Sequence, residues 1–205
     1  MDETVKNAKS KLLTTKTIVK IAILAALATV VMALKIPLPF IPSFYKLEFS
    51  EIVVLIGGFA LGPVAAIIIE AIKVILNFFI DGSVTAGIGE LANFLMGCSL
   101  VVPASLIYLR IKTKKGAVIG CITGFISLLI ISALLNYFLL IPAYARAFGM
   151  PIDAIIGMGT KLNSNIVDLK SLILFATVPL NAIKGLSTII ITIILYKRIS
   201  GLLKK

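Results

Sequence analysis

The chain has 205 residues, of which 60% are hydrophobic and 14% are charged. A soluble domain has about a quarter of its residues charged, so this composition excludes an ordinary soluble protein. The formal net charge is +11, but the basic residues flank apolar runs with no aromatic platform between them, which argues against a nucleic-acid-binding protein. Several apolar runs reach the roughly 18 residues that a bilayer requires, and no series of short alternating strands indicates a barrel. The sequence therefore predicts an all-α, polytopic membrane protein.

The apolar runs predict a bundle of six transmembrane helices in a single domain, residues 1–205, with residues 1–16 as a cytoplasmic tail. The predicted spans are 17–34, 50–61, 63–80, 88–110, 116–141 and 171–197. Two connections, 35–49 and 142–170, are long. No cleavage site typical of a signal peptide follows the first apolar run, so we expect the first helix to remain in the protein.

The distribution of positive charge predicts the orientation of the bundle. With both termini in the cytoplasm, 13 of the 20 Lys and Arg residues lie inside, five lie outside, and Lys73 and Lys184 lie within the membrane. This asymmetry follows the positive-inside rule. We therefore predict a multi-pass protein of the cell membrane of a prokaryote with cytoplasmic termini.

The first predicted helix contains "IAILAALATV", in which Ala22 and Ala26 lie one turn apart on one face. Small side chains at this spacing allow a second helix to approach closely. The partner helix is either part of the same bundle or part of another subunit.

The first long connection, "KIPLPFIPSFYKLEFSE", has three prolines and four aromatic residues. Proline keeps the segment out of a helix, and its apolar character favours contact with a surface. Two interpretations stay open: the loop folds over a ligand, or it lies on the membrane interface.

The third predicted helix carries Glu70, Lys73, Asn77 and Asp81 at helical spacing. Glu70 and Lys73 can pair at i, i+3, and we expect Glu70 to be the only carboxylate well inside the membrane. The pair is interpreted either as a structural ion pair or as a functional site, and Asn77 and Asn93 as interhelical hydrogen-bond partners or as site residues. Asp81 is expected at the interface.

Polar residues also interrupt the outer parts of the last three predicted helices. They are Glu90 and Asn93, Asn136 and Tyr137, and Asn181 and Lys184. Polar groups inside a membrane usually face a cavity, and convergence from several helices predicts a pocket for a flat small molecule with a polar edge. Lys184 has no acidic residue within reach on its own helix, so we expect a ligand carbonyl or anionic ring nitrogen as its partner. Pro179 predicts a kink beside it.

Several functional classes lack their motifs in this sequence. There is no histidine, no phosphate-binding loop and no nucleophile elbow, so the sequence predicts no catalytic residue, no ATP hydrolysis and no enzyme. Cys98 and Cys121 are not spaced as a metal or redox motif, so no metal site is predicted.

Five segments carry a resemblance to a known family. They are "PLPFIPSFYKLEFSEIVVLIGGFALGPVAA" (37–66), "AIKVILNFF" (71–79), "GELANFLMG" (89–97), "LLNYFLLIP" (134–142) and "VPLNAIKG" (178–185). The chain resembles the riboflavin-binding S component of energy-coupling factor (ECF) vitamin transporters over nearly its whole length. It departs from close relatives at "LEFSE", where they often have two aspartates around the Phe-Ser pair.

The resemblance implies a function and a set of roles. Riboflavin would be the transported ligand, with no cofactor, and the partners would be membrane lipid, a transmembrane coupling subunit and, through it, two ATP-binding subunits. The implied ligand residues are Phe44, Lys46 and Leu47 in a capping loop, Glu90 and Asn93 at the ribityl chain, and Asn136, Tyr137, Asn181 and Lys184 around the flavin ring. Ala22 and Ala26 match the pair that docks on the coupling subunit.

Other functions remain open at this stage. The chain could be an S component for another vitamin. It could be a self-sufficient secondary transporter that uses Glu70 as its proton site. A scaffold in which the polar residues only join helices is a third possibility.

Overall fold

A computed structural model describes residues 14–37, 46–83 and 85–203. Within these ranges the chain forms seven helices and one antiparallel pair of two-residue strands. The elements are α1 (Thr15–Ala33), β1 (Ile36–Pro37), β2 (Lys46–Leu47), α2 (Glu51–Leu61), α3 (Pro63–Asp81), α4 (Ile88–Arg110), α5 (Lys114–Ala147), α6 (Ile152–Thr160) and α7 (169–203).

The predicted all-α membrane architecture is confirmed. Five helices are long and apolar enough to cross a membrane, namely α1, α3, α4, α5 and the Leu169–Tyr196 part of α7, and α2 is a shorter apolar helix. The first four predicted spans agree with the structure to within two residues at each end. The predicted end of the fifth span at residue 141 is wrong, because α5 continues to Ala147 and buries Ile141, Tyr144 and Ala145. The connection that follows contains α6.

Two π-helical turns interrupt the long helices α5 and α7. They span Asn136–Leu140 and Ile173–Thr177, and they contact each other. A proline follows each turn by two residues, Pro142 in α5 and Pro179 in α7. Proline has no N–H for the carbonyl four residues earlier and crowds that carbonyl, and a locally widened turn accommodates it. The kink predicted at Pro179 therefore takes the form of a π-helical turn.

Glycines spaced four apart bring α4 and α5 into close contact. A Cβ atom added at Gly124 would overlap the carbonyl oxygen of Leu100, and one added at Gly120 would lie 2.6 Å from the carbonyl oxygen of Ala104. Only a residue without a side chain allows the two backbones to approach this closely. This contact fixes the position of α5, which carries Asn136.

Helix α1 divides its small residues between two faces. Ala25 and Ala28 are fully buried against the bundle, and the Thr29 hydroxyl donates to the Ala25 carbonyl at 2.8 Å. Ala22 and Ala26 are exposed on the opposite side. The predicted small-residue face is thus on the outside of the chain and available to another helix.

Candidate ligand-binding cavity

A cavity of about 400 Å³ lies at one end of the bundle. At this end α1 and α3 finish, α4 starts, and the π-helical parts of α5 and α7 face each other. Ligand pockets for small molecules usually measure about 300–1,000 Å³. The lining residues that carry polar or charged side chains are Lys35, Glu48, Asn77, Asp81, Thr85, Glu90, Asn93, Asn136, Tyr144, Asn181 and Lys184. The wall is therefore polar, although it is built largely from apolar helices.

Five of the predicted ligand residues meet in this cavity. They come from three helices and are Glu90, Asn93, Asn136, Asn181 and Lys184. Asn136, Asn181 and Lys184 are also among the buried polar residues of the protein. The convergence of polar groups that the sequence predicted is thus present in the fold.

The two asparagines of the inner wall are anchored in the same way. Asn136 Nδ2 donates to the Ser132 carbonyl at 2.8 Å, and Asn181 Nδ2 donates to the Thr177 carbonyl at 2.9 Å. Each acceptor lies four residues earlier on the same helix, and Thr177 belongs to the π-helical turn of α7. These bonds fix the plane of each amide beside the cavity.

A network of small hydroxyl side chains holds Glu90 at the first turn of α4. Glu90 Oε2 accepts hydrogen bonds from Ser83 Oγ at 2.9 Å and from Thr85 Oγ1 at 3.4 Å. Ser83 and Thr85 in turn accept the backbone N–H groups of Gly87 and Gly89. The connection between α3 and α4 therefore sets the direction of this carboxylate.

The remaining predicted ligand residues are distributed differently. Leu47 is buried but does not line the cavity, and Tyr137 packs edge-on against Phe138, with ring centroids 4.8 Å apart, away from the cavity wall. Phe44 and the side chain of Lys46 lie outside the described residues. The backbone of Lys46 pairs with Pro37 in the short two-stranded sheet.

The sequence predicted a ligand atom as the partner of Lys184, and the structure adds two protein partners that the sequence did not predict. Lys184 Nζ lies 2.5 Å from Glu48 Oε1 and 3.5 Å from Glu51 Oε1. Neither carboxylate is on α7: Glu48 follows the first loop, and Glu51 starts α2. The pairing joins residues more than 130 positions apart, which helix spacing does not reveal.

The predicted ion pair between Glu70 and Lys73 is confirmed, with Lys73 Nζ 2.7 Å from Glu70 Oε1. Lys73 Nζ also lies 3.0 Å from Glu51 Oε1. Glu48 and Glu51, for which the sequence analysis predicted no burial, are nearly as inaccessible as Glu70. The result is a series of alternating charges, Glu48, Lys184, Glu51, Lys73 and Glu70, which we call the buried charge series. Only its first two members line the cavity.

Four further charged or amide residues of the wall lie outside the predicted ligand set, although the sequence left Asn77 open as a site residue. Glu48, Asn77, Lys35 and Asp81 all line the wall, and Lys35 Nζ pairs with Asp81 Oδ2 at 2.6 Å. Asn77 is buried, and among the described residues no donor hydrogen-bonds to its Oδ1. The polar spacing along α3 was the available signal for Asn77 and Asp81, since it continues the face that carries Lys73.

Comparison with known proteins identifies the family. The family model described as the substrate-specific component of ECF transporters matches residues 16–196. The chain belongs to this family. It is 34% identical over 190 residues to the riboflavin transporter RibU of Staphylococcus aureus, covering 93% of each chain. It is 31% identical to the riboflavin transporter FmnP of Bacillus subtilis, covering 87% of each chain.

A solved structure supports the same assignment for this S component. The structure, described as that of the S component of a bacterial ECF transporter, superimposes with a TM-score of 0.71 at 32% identity. The match covers 93% of this chain and 98% of the other. The relatives are transporters, so the prediction that the protein is not an enzyme is confirmed. Glu70, the proton site of the secondary-transporter hypothesis, is paired with Lys73 and does not line the cavity.

Proposed function

We propose that this S component binds riboflavin in the cavity and delivers it across the cell membrane as part of an ATP-driven ECF transporter. The observation that carries the proposal is the convergence of Asn136, Asn181 and Lys184 in the wall of a cavity of about 400 Å³. The two relatives described above are both named riboflavin transporters.

The chemistry of the wall suits a flavin ring. The isoalloxazine ring is flat and largely apolar, and its pyrimidine edge presents two carbonyl oxygens and an N–H group. An amide offers both donors and an acceptor, and a lysine ammonium offers donors only. The anchored amides of Asn136 and Asn181 and the ammonium of Lys184 are therefore assigned to this polar edge.

The other end of the cavity suits the ribityl chain, which carries several hydroxyl groups. Glu90 accepts hydrogen bonds and is held in place by Ser83 and Thr85, and Asn93 lies one turn further along α4. The loop that contains Phe44, Lys46 and Leu47 is assigned as the cap of the cavity. Tyr137 packs against Phe138 and does not line the cavity, so it is not assigned a contact with the ligand.

The orientation and the partners follow from the two ends of the molecule. Arg110, Lys112, Lys114 and Lys115 lie at the end opposite the cavity, which we assign to the cytoplasm with both termini. The cavity then opens to the outside of a prokaryotic cell. Ala22 and Ala26 are exposed near the cytoplasmic start of α1 and are assigned to a transmembrane coupling subunit that works with two ATP-binding subunits. The exposed apolar side chains of the other helices face lipid.

The experiment that tests the proposal begins with the absorption spectrum of the purified protein and a titration with riboflavin. A bound flavin gives a visible spectrum and places riboflavin ahead of other vitamins. Replacing Asn181 with Leu removes one neutral hydrogen-bonding group, so we expect affinity to fall by about two- to tenfold. Asn165→Leu, at an exposed site outside the cavity, is the matched control. If the wild-type protein binds no riboflavin, or both variants bind equally well, the proposal fails.

A further inference from the structure

Glu48 sits where the first loop meets the ligand cavity, and its two oxygens have different partners. Oε2 accepts the backbone N–H of Ser50 at 2.7 Å, and Oε1 lies 2.5 Å from Lys184 Nζ. Glu48 is only 2% exposed and lines the cavity beside Lys184. A carboxylate that is held by the backbone on one side offers its other oxygen in a fixed direction.

The geometry around Lys184 leaves one direction for a ligand. An ammonium has three N–H donors. Glu48 and Glu51 approach it at 2.5 and 3.5 Å, and Lys184 itself lies on the cavity wall. With two donors directed at carboxylates, the third remains for a group in the cavity.

The buried charge series explains why this position depends on Glu48. Glu51 Oε1 is shared, because it also lies 3.0 Å from Lys73 Nζ. The Lys184 ammonium lies at the end of a flexible four-carbon side chain. Without the Glu48 charge, the nearest carboxylate for its ammonium is Glu51, which lies deeper in the protein and does not line the cavity. The ammonium would then move away from the ligand.

We propose that Glu48 is a positioning residue for ligand binding, which holds the Lys184 ammonium at the cavity wall and so joins the end of the first loop to the flavin contact. The inference rests on the proposed function, since it concerns the lysine assigned to the flavin edge. Glu48 acts through Lys184 and is not itself assigned a contact with riboflavin.

The test is a double-mutant cycle measured by titration with riboflavin. In the wild-type background, Glu48→Gln is expected to weaken affinity by about tenfold, the value for one hydrogen bond to a charged group. In a Lys184→Met background the same change is expected to alter affinity by less than about twofold, because no ammonium remains to be positioned. Lys184→Met with Glu48→Gln removes both charges of the pair together, so this corner of the cycle leaves neither group of the pair charged.

Two further variants separate positioning from a general effect of buried charge. Glu48→Asp keeps the carboxylate and is expected to recover most of the affinity lost in Glu48→Gln. Glu70→Gln removes an equally buried carboxylate that pairs with Lys73 instead, and it is expected to leave riboflavin affinity within about twofold of wild type.

The outcomes distinguish the inference from the proposed function. Equal losses from Glu48→Gln in both backgrounds, or equal losses from Glu48→Gln and Glu70→Gln, overturn the positioning role while riboflavin binding by the wild-type protein still stands. If the wild-type protein binds no riboflavin, both are overturned. The inference is supported if Glu48→Gln lowers riboflavin affinity only when Lys184 is present and Glu48→Asp recovers most of that affinity.

Discussion

Lys73 is expected to be the most important single charge for the stability of the bundle. Its ammonium is fully buried and lies 2.7 Å from Glu70 and 3.0 Å from Glu51. Lys73→Met keeps most of the side-chain volume but leaves both carboxylates facing each other without the shared cation. Removing one partner of a buried ion pair typically costs about 3–5 kcal/mol, because the remaining charge stays buried and uncompensated.

Lys35→Met provides the matched control. Lys35 pairs with Asp81 at 2.6 Å, but the two side chains are 21% and 37% exposed. An exposed pair of this kind contributes about 0–1 kcal/mol. The two substitutions remove the same chemical group, so the difference between them measures the effect of burial.

The assay is thermal unfolding of the purified protein in detergent. For a chain of this size each kcal/mol shifts the thermal midpoint by roughly 2–4 °C. The midpoint of the Lys73→Met variant should therefore fall by roughly 10 °C, and that of the Lys35→Met variant by only a few degrees. Adding Glu70→Gln to Lys73→Met removes one of the two buried carboxylates that lost their shared cation and should recover part of the lost stability. Equal midpoints for Lys73→Met and Lys35→Met would refute this account of the buried charge series.

The remaining predictions concern docking, the first loop and close packing. Ala22→Trp or Ala26→Trp should abolish ATP-dependent uptake yet retain riboflavin binding, and joint loss in binding and transport assays would mean that these alanines pack inside the bundle. Cleavage by trypsin after Lys46 should slow when riboflavin is bound, and equal rates with and without ligand would argue against a cap. Gly97→Ala should destabilise by about 1–3 kcal/mol in thermal unfolding, since its Cβ would overlap a buried carboxylate, whereas Gly157→Ala adds its Cβ to open space and should not destabilise.

The membrane helices could be predicted from the sequence because each span is a continuous apolar run. The boundary between α2 and α3 within "LGPV" also matches the prediction, since Gly62 has a positive φ of 96° and Pro63 starts α3. The π-helical turns were not predicted, because hydropathy does not change when a helix widens by one residue. The available signal was a proline two residues after each turn, and it was used only at Pro179.

The candidate site was predictable where a polar side chain interrupts an apolar run. Asn136, Asn181 and Lys184 stand out in this way, and all three line the cavity. The partners of Lys184 were not predictable, because helix spacing identifies neighbours only within about four residues on the same helix. Glu48 precedes α2 in a loop, where a carboxylate is ordinary, and only the tertiary packing shows that it is buried.

The π-helical turns also decide which residues share a face in the two helices that carry Asn136 and Asn181. An α-helix turns by about 100° per residue, so the extra residue of a π-helical turn offsets the faces before and after it by about that angle. In α5 this offset lets Asn136 and Tyr144 line the same cavity. If the same residues formed a continuous α-helix, the eight residues from Asn136 to Tyr144 would place the two side chains about 80° apart, and one of them would leave the wall. The same five-residue segment is therefore the point at which α5 accommodates one extra residue while Asn136 and Tyr144 stay on the cavity-facing side.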